Sequence, residues 1–171
     1  MNSEQLIVNS ETCSAMNKIL VFISLFSILI FFTSCDRNRV FEEYKTIPEN
    51  LWYINNKVTF DVNISDTVSV DNLYINIRNS GSYSYSNLFV FLTTYLPDNT
   101  ASKDTLECTL ADASGKWLGN GLGDIWDNKI LFKRNFRFPH TGKYRFEMVQ
   151  GMRINPLPLI ADVGLRIEKV K

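Results

Sequence analysis

Few side chains in this sequence could do covalent or acid–base chemistry. There are three cysteines, Cys13, Cys35 and Cys108, and one histidine, His140. Cys35 is singular in its setting: it follows Thr33-Ser34 at the end of a long apolar run. A thiol can be alkylated at sulfur because its thiolate is a strong nucleophile. Small residues just before it allow an extended backbone into a protease site. The chemistry available at Cys35 is therefore alkylation at Sγ. The other candidates offer less. One histidine and so few cysteines are poor material for zinc. Asp104, Asp112, Asp124 and Asp127 are not at EF-hand spacing, and nothing places two of them at the separation that glycoside hydrolysis requires. There is no Gly-x-Ser-x-Gly elbow. The Gly119-Asn120-Gly121-Leu122-Gly123 cluster lacks the Lys-Ser/Thr of a phosphate loop and the βαβ context of a dinucleotide site. It reads as a turn, where glycine supplies positive φ or close backbone approach. No catalytic residue and no metal set is read from these positions.

The segment that must present Cys35 is Ile19 to Phe32, apolar except for Ser24 and Ser27. Crossing a bilayer takes about 20 apolar residues, so the run suits the core of a signal peptide instead. Met16-Asn17-Lys18 supplies the short basic start, whereas Met1 to Ala15 carries Glu4 and Glu11 and no basic residue. Residues 1–15 are accordingly read as a start-site extension and 16–34 as a cleaved N-terminal signal helix. Phe32-Thr33-Ser34-Cys35 resembles a bacterial lipobox. That resemblance implies a thioether diacylglycerol on Cys35, then signal peptidase II cleavage between Ser34 and Cys35 and an N-acyl chain on Cys35, and no other cofactor. Two or more chains make a stable membrane anchor at about 0.8 kcal/mol per buried CH₂. Residues 35–50 are then the lipidated N-terminus and tether. Asp36-Arg37-Asn38-Arg39 is a polar tether and not the acidic run associated with surface export of some bacterial lipoproteins, which favours a periplasm-facing protein. Cys108 is left without a disulfide partner.

After residue 50 the dominant period is two, the period of a half-buried strand. Val58, Phe60, Val62 and Ile64 alternate with polar residues; so do Leu73, Ile75 and Ile77, then Tyr144, Phe146 and Met148, then Val163, Leu165 and Ile167. Leu106, Cys108 and Leu110 share one face, which makes Cys108 a packing residue. Leu88 to Leu96 is apolar on both faces and suits a central strand covered on both sides. Pro156 and Pro158 confine Gly151 to Ile160 to loop or edge. Arg153 and Asp162 bracket that loop and could pair, and His140, after Pro139, reads as a surface turn residue. About eight strands with short turns predict an all-β domain, an antiparallel β-sandwich spanning 51–171. About 130 residues suffice for one core. Formal net charge is +0 with no basic stripe, so nucleic acid is not an expected partner.

Four aromatics remain. Trp117 and Trp126 flank the glycine cluster, and Tyr83 and Tyr85 lie in Ser82 to Asn87. They either cap the open end of the core or form a platform for a glycan or peptide. The second option makes the chain a lipoprotein binding module for glycan or peptidoglycan fragments, with Trp117, Trp126, Tyr83 and Tyr85 as the ligand-binding set.

Several stretches in order, NLYINIRN, YSYSNLFVFL, DTLECTLADASGKWLGNGLGDIW, FPHTGKYRFEMVQGMR and DVGLRIEK, resemble the gliding-motility lipoproteins called GldH, from the Bacteroidota. The likeness runs from about Trp52 to Lys169. It implies a membrane-anchored, non-enzymatic protein of the cell envelope, in contact with other proteins of the gliding or type IX secretion machinery. No catalytic or ligand residues are carried over from the family. The sequence is silent on the oligomeric state.

Overall fold

The computed structural model describes Lys18 and residues 36–170, without the side chain of Leu122. The start-site extension, the signal peptide and the Ser34–Cys35 cleavage and acylation site fall outside those residues, Lys18 apart. The chain divides into two compact units, Met1–Arg37 and Asn38–Lys171; the architecture below is that of the second.

Two antiparallel sheets pack face to face. The larger has the order β1-β11-β4-β8-β7 and the smaller β3-β9-β5-β6. Their strands are β1 (Arg39–Thr46), β3 (Val58–Ile64), β4 (Asp71–Ser80), β5 (Asn87–Tyr95), β6 (Ala101–Thr109), β7 (Asn120–Leu122), β8 (Ile125–Phe136), β9 (Gly142–Gln150) and β11 (Ile160–Lys169). A two-stranded patch of β2 (Leu51–Trp52) and β10 (Leu157–Pro158) closes one end. The all-β sandwich expected from the alternation is the fold found. Val58, Phe60, Val62 and Ile64 of β3, Leu73, Ile75 and Ile77 of β4, and Val163, Leu165 and Ile167 of β11 all point into one core. Alternation works because successive side chains leave opposite faces of a pleated strand.

Four expectations need correction. The tether assigned to 35–50 is too long: Arg39–Thr46 is a full strand, paired with β11 from Arg39↔Glu168 to Thr46↔Asp162. Its alternation is hidden because β1 is an edge strand. Only Phe41 reaches the core, its ring 6.4 Å from that of Phe60. Glu43 and Lys45, on the same side of the strand, stay at the rim and pair with each other at 2.8 Å. Second, β5 is an inner strand but is covered on one face only. Leu88, Val90 and Leu92 are buried, whereas Phe91 is 47% exposed on the outer face. Third, Asp162 does not meet Arg153. It accepts from Thr46 Oγ1 at 2.8 Å and lies 3.6 Å from Arg78. Fourth, the Gly119–Gly123 cluster, read as a turn, also supplies a strand: β7 pairs with the start of β8, so that β8 begins at Ile125.

Candidate functional site

The sandwich has two ends. At one, β1 begins, β11 finishes, and the β3–β4, β5–β6 and β8–β9 connections turn. At the other lie the β4–β5 link, the Ala111-to-Asp124 segment and the proline loop. The four aromatics singled out in the sequence are all at this second end, and the fold joins them. Tyr85 meets Tyr83 at 5.6 Å between ring centroids, Tyr83 meets Trp117 at 6.5 Å, and Trp117 meets Trp126 at 6.5 Å. Tyr83 is sealed in, with its hydroxyl donating to the Asn87 carbonyl, and burial raises its pKa above the ordinary phenol value. Tyr85, Trp117 and Trp126 are half-buried.

Glycines build this array. Gly121 stands opposite Trp126 in the hairpin, and a Cβ there would come within 3.1 Å of the indole ring. A Cβ on Gly119 would lie 2.7 Å from both Asn128 Oδ1 and the Asp127 carbonyl. Gly123 makes the turn at φ +63, a region that favours glycine. Beneath the hairpin, Asn128 Nδ2 donates to Asn79 Oδ1 at 2.8 Å and Asn79 Nδ2 donates to the Ser80 carbonyl at 2.9 Å. Both amides are buried. Ser80 Oγ donates to Asp124 at 2.8 Å, and the Gly81 N–H donates to the Asp124 carbonyl at 2.7 Å. The spacing of tryptophan and glycine thus serves a close-packed hairpin, a signal that the glycine pattern carried without its meaning.

Beside the array runs a groove of about 400 Å³, lined by Tyr85, Phe89, Gly151, Met152, Arg153 and Ile154. Its floor is held by Gln150, fully buried, whose Nε2 donates to the Ile154 carbonyl at 3.0 Å while its Oε1 accepts from the Met152 N–H at 2.7 Å. Phe91 flanks Gly151, and Ile54 is tied to the same loop by its N–H donating to Asn155 Oδ1. Phe91, Ile154 and Ile54 are 47%, 43% and 43% exposed. Exposed apolar side chains gathered around a groove mark interaction surfaces more often than scattered ones do. Of this surface, Tyr85 and Arg153 were singled out from sequence; Phe89 and Phe91 lie on the outer face of β5, and Met152, Ile154 and Ile54 lie on loops that have no period to read.

The remaining candidates stand apart. Asp104 faces Lys133 at 3.6 Å, Asp112 caps its own turn through Ser114 and Lys116, Asp124 binds Ser80, and Asp127 binds Arg78 at 3.0 Å. Among the described residues no three His, Cys, Asp or Glu side chains gather as a metal site would need. His140 is exposed, and its backbone N–H donates to the Tyr144 hydroxyl. Cys108 is fully buried, and burial pushes its thiol up to about 12; a thiol held neutral is no nucleophile.

The comparisons with known proteins agree with one another. The family described as GldH lipoprotein matches residues 39–167. A gliding motility lipoprotein GldH homolog of Christiangramia forsetii is 41% identical over 156 residues, covering 87% of this chain and 94% of that one. The gliding motility lipoprotein GldH of Flavobacterium johnsoniae is 36% identical over 152 residues, covering 85% and 92%. Among solved structures, that of infectious bursal disease virus strain Gx aligns with 79% of this chain and 32% of its own at 16% identity and a TM-score of 0.24, too slight a likeness to carry an argument. The match begins at Arg39, the first residue of β1, and ends at Ile167 in β11, so it takes in all of the sandwich but the last two residues of that strand. This chain belongs to the GldH lipoprotein family, whose named relatives are gliding motility lipoproteins.

Proposed function

We propose that the chain is a periplasm-facing envelope protein, anchored by acyl groups on Cys35, that works without catalysis by presenting the Phe89–Met152–Ile154 groove to another protein of the gliding or type IX secretion machinery. The observation that carries this reading is the groove itself. It is lined mostly by apolar side chains, its loop is pinned by buried Gln150, and half-exposed Phe91 flanks Gly151 at its edge. A surface of this kind gains affinity by burying aromatic and aliphatic anchors. It also lies at the end of the sandwich opposite the start of β1, so an anchor on the Cys35 side leaves it free to reach a partner. The half-buried rings of Tyr85, Trp117 and Trp126 support a glycan platform less well, because Gly121 and the neighbouring rings already occupy much of their faces.

The test is deletion in the source bacterium followed by complementation. Deletion is expected to impair surface spreading or protein export, and the unaltered gene to restore it. Phe91→Glu with Ile154→Glu, expressed to the same level, is expected to fail and to lose its crosslinked envelope proteins. Normal spreading and export in the deletion strain would sink the assignment. Full rescue by the double variant would sink the groove. Retention of muropeptide binding in place of protein crosslinks would favour the glycan reading.

A further inference from the structure

The end of the sandwich where β1 begins differs in charge from the rest of a chain whose formal net charge is +0. Arg39 opens β1, Arg134 and Arg137 flank Phe136 at the finish of β8, and Lys169 closes β11. In the sequence, Arg37 and Lys171 lie beside them. Arg134 and Arg137 are exposed and form no ion pair among the described residues. The acidic groups nearby are largely committed: Glu42 pairs with Arg39 at 3.4 Å and with Arg166, and Glu168 pairs with Lys129 and Arg166. Asp66 accepts from Lys169 and Ser69, Asp98 is folded onto Thr100, and Asp71 is buried; Asp36 lies in the tether. Burial raises the Asp71 pKa, which favours its neutral form.

Between these basic groups is an open groove of about 610 Å³ lined by Ser69, Val70, Asn135, Arg137, Lys169 and Val170. Its donors suit a phosphate, for which Arg and Lys are the usual partners. At its rim the β3–β4 connection forms a fixed turn: the Val68 and Ser69 N–H groups both donate to Asp66 Oδ1. That turn holds Val68 out at 80% exposure, and Val40 and Val170 are 41% and 39% exposed. A preorganised apolar tip ringed by cations is costly in water and favourable at a headgroup interface.

We infer that this end of the sandwich is a membrane-contact surface, which rests on the headgroups of an anionic phospholipid leaflet with Val68 entering the interface. The inference rests on the acylation of Cys35 proposed above and goes further, because it sets the orientation of the domain. Only Asp36, Arg37 and Asn38 separate Cys35 from the first paired residue of β1. At no more than about 3.6 Å per residue, the chain allows at most about 14 Å between the Cα atoms of Cys35 and Arg39. The Debye length at physiological salt is about 8 Å, so the basic groups act on the leaflet only when this end comes down onto it, and so short a tether keeps it within reach. The groove at Ile154 then points away from the bilayer, towards a partner.

The test uses the acylated chain reconstituted in vesicles of phosphatidylcholine, with or without about 30% phosphatidylglycerol. Nitroxide labels are placed at Val68→Cys or, as a control, at Ile154→Cys; buried Cys108 stays unlabelled. In the anionic vesicles the label at 68 is expected to be relaxed by oxygen dissolved in the lipid and shielded from an aqueous relaxant, while the label at 154 stays aqueous. Arg134→Glu with Arg137→Glu is expected to cut contact at 68 about tenfold, as is about 1 M salt, where the Debye length falls to about 3 Å. In both cases the chain still floats with the vesicles through its acyl groups. A fully aqueous label at 68 on a chain that floats would overturn the contact surface and leave the anchor standing. A chain that does not float would overturn both.

Discussion

Tyr44 on β1 and Arg78 on β4 stack across a strand that separates them, with the guanidinium carbon 3.9 Å from the ring centroid. β11 runs between their strands, and at the crossing point its residue is Gly164, paired with Tyr44 on one side and Asn76 on the other. The Tyr44 hydroxyl reaches Asp127 on β8 at 3.3 Å, and Arg78 Nε donates to the same carboxylate at 3.0 Å. One aromatic side chain thereby ties the edge strand to three others on the outer face.

Gly164→Ala should break this arrangement. An added Cβ would lie 3.0 Å from the Glu43 carbonyl, 3.0 Å from Tyr44 Cδ1 and 3.1 Å from Asn76 Cβ, and two of those neighbours cannot swing away. Overpacking of this kind costs about 1–3 kcal/mol. Tyr44→Phe keeps the ring and loses only a long hydrogen bond to a half-exposed carboxylate, about 0.5–1.5 kcal/mol. Urea denaturation of both variants should place Gly164→Ala below Tyr44→Phe; the reverse order would mean that the hydroxyl, not the stack, holds β1.

Stability should fall on the alkaline side. Burial lifts Cys108 from 9.0 to about 12, and burial, then the Asp127 charge, lifts Tyr44 from 10.0 to about 12. Both groups are neutral in folded and unfolded chains below about pH 9. Between that point and pH 12 the unfolded chain loses protons first, so stability drops as pH rises. Denaturation midpoints measured from pH 7 to 11 should be flat to about 9 and then decline. Cys108→Ala should shallow the first part of the decline, and an unchanged slope would assign it to other groups.

The hairpin glycines should rank by what their missing Cβ would strike. At Gly119 the obstruction is a backbone carbonyl and a buried amide at 2.7 Å, at Gly121 an indole face at 3.1 Å, and at Gly115 nothing within 4 Å but a φ of +84. Gly119→Ala should therefore cost most, about 1–3 kcal/mol, and Gly115→Ala about 1–2 kcal/mol from conformation alone. Gly121→Ala should be the one that shifts tryptophan emission, because it displaces Trp126 from its seat. Thermal melts followed by fluorescence separate the three.

Gln150→Ala should open the groove without unfolding the domain. It removes both partners of the loop, Met152 N–H and the Ile154 carbonyl, and leaving buried polar groups unsatisfied costs about 1–3 kcal/mol. Hydrogen exchange should accelerate at residues 151–155 and stay slow in β9. Slow exchange throughout would show that the Phe89–Gly151 backbone bond alone holds the loop.

The all-β sandwich was legible in the sequence because five of its long strands, β3, β4, β6, β9 and β11, carry their apolar residues at period two, and that period arises within each strand. Cys35 with its apolar run, the unpaired state of Cys108 and the family resemblance needed no tertiary information either. What tertiary structure decided depends on partners far apart in the chain. β1 is a strand because β11 pairs with it, and its own apolar face is a single phenylalanine, Phe41. Gly164 matters through Tyr44, and Asp162 meets Arg78 where the nearer Arg153 was expected. Phe91, apolar in a strand that reads as buried on both sides, is 47% exposed because, among the described residues, the outer face of the smaller sheet is only partly covered there. Whether a face is covered depends on which elements pack across it, and local periodicity carries no record of that.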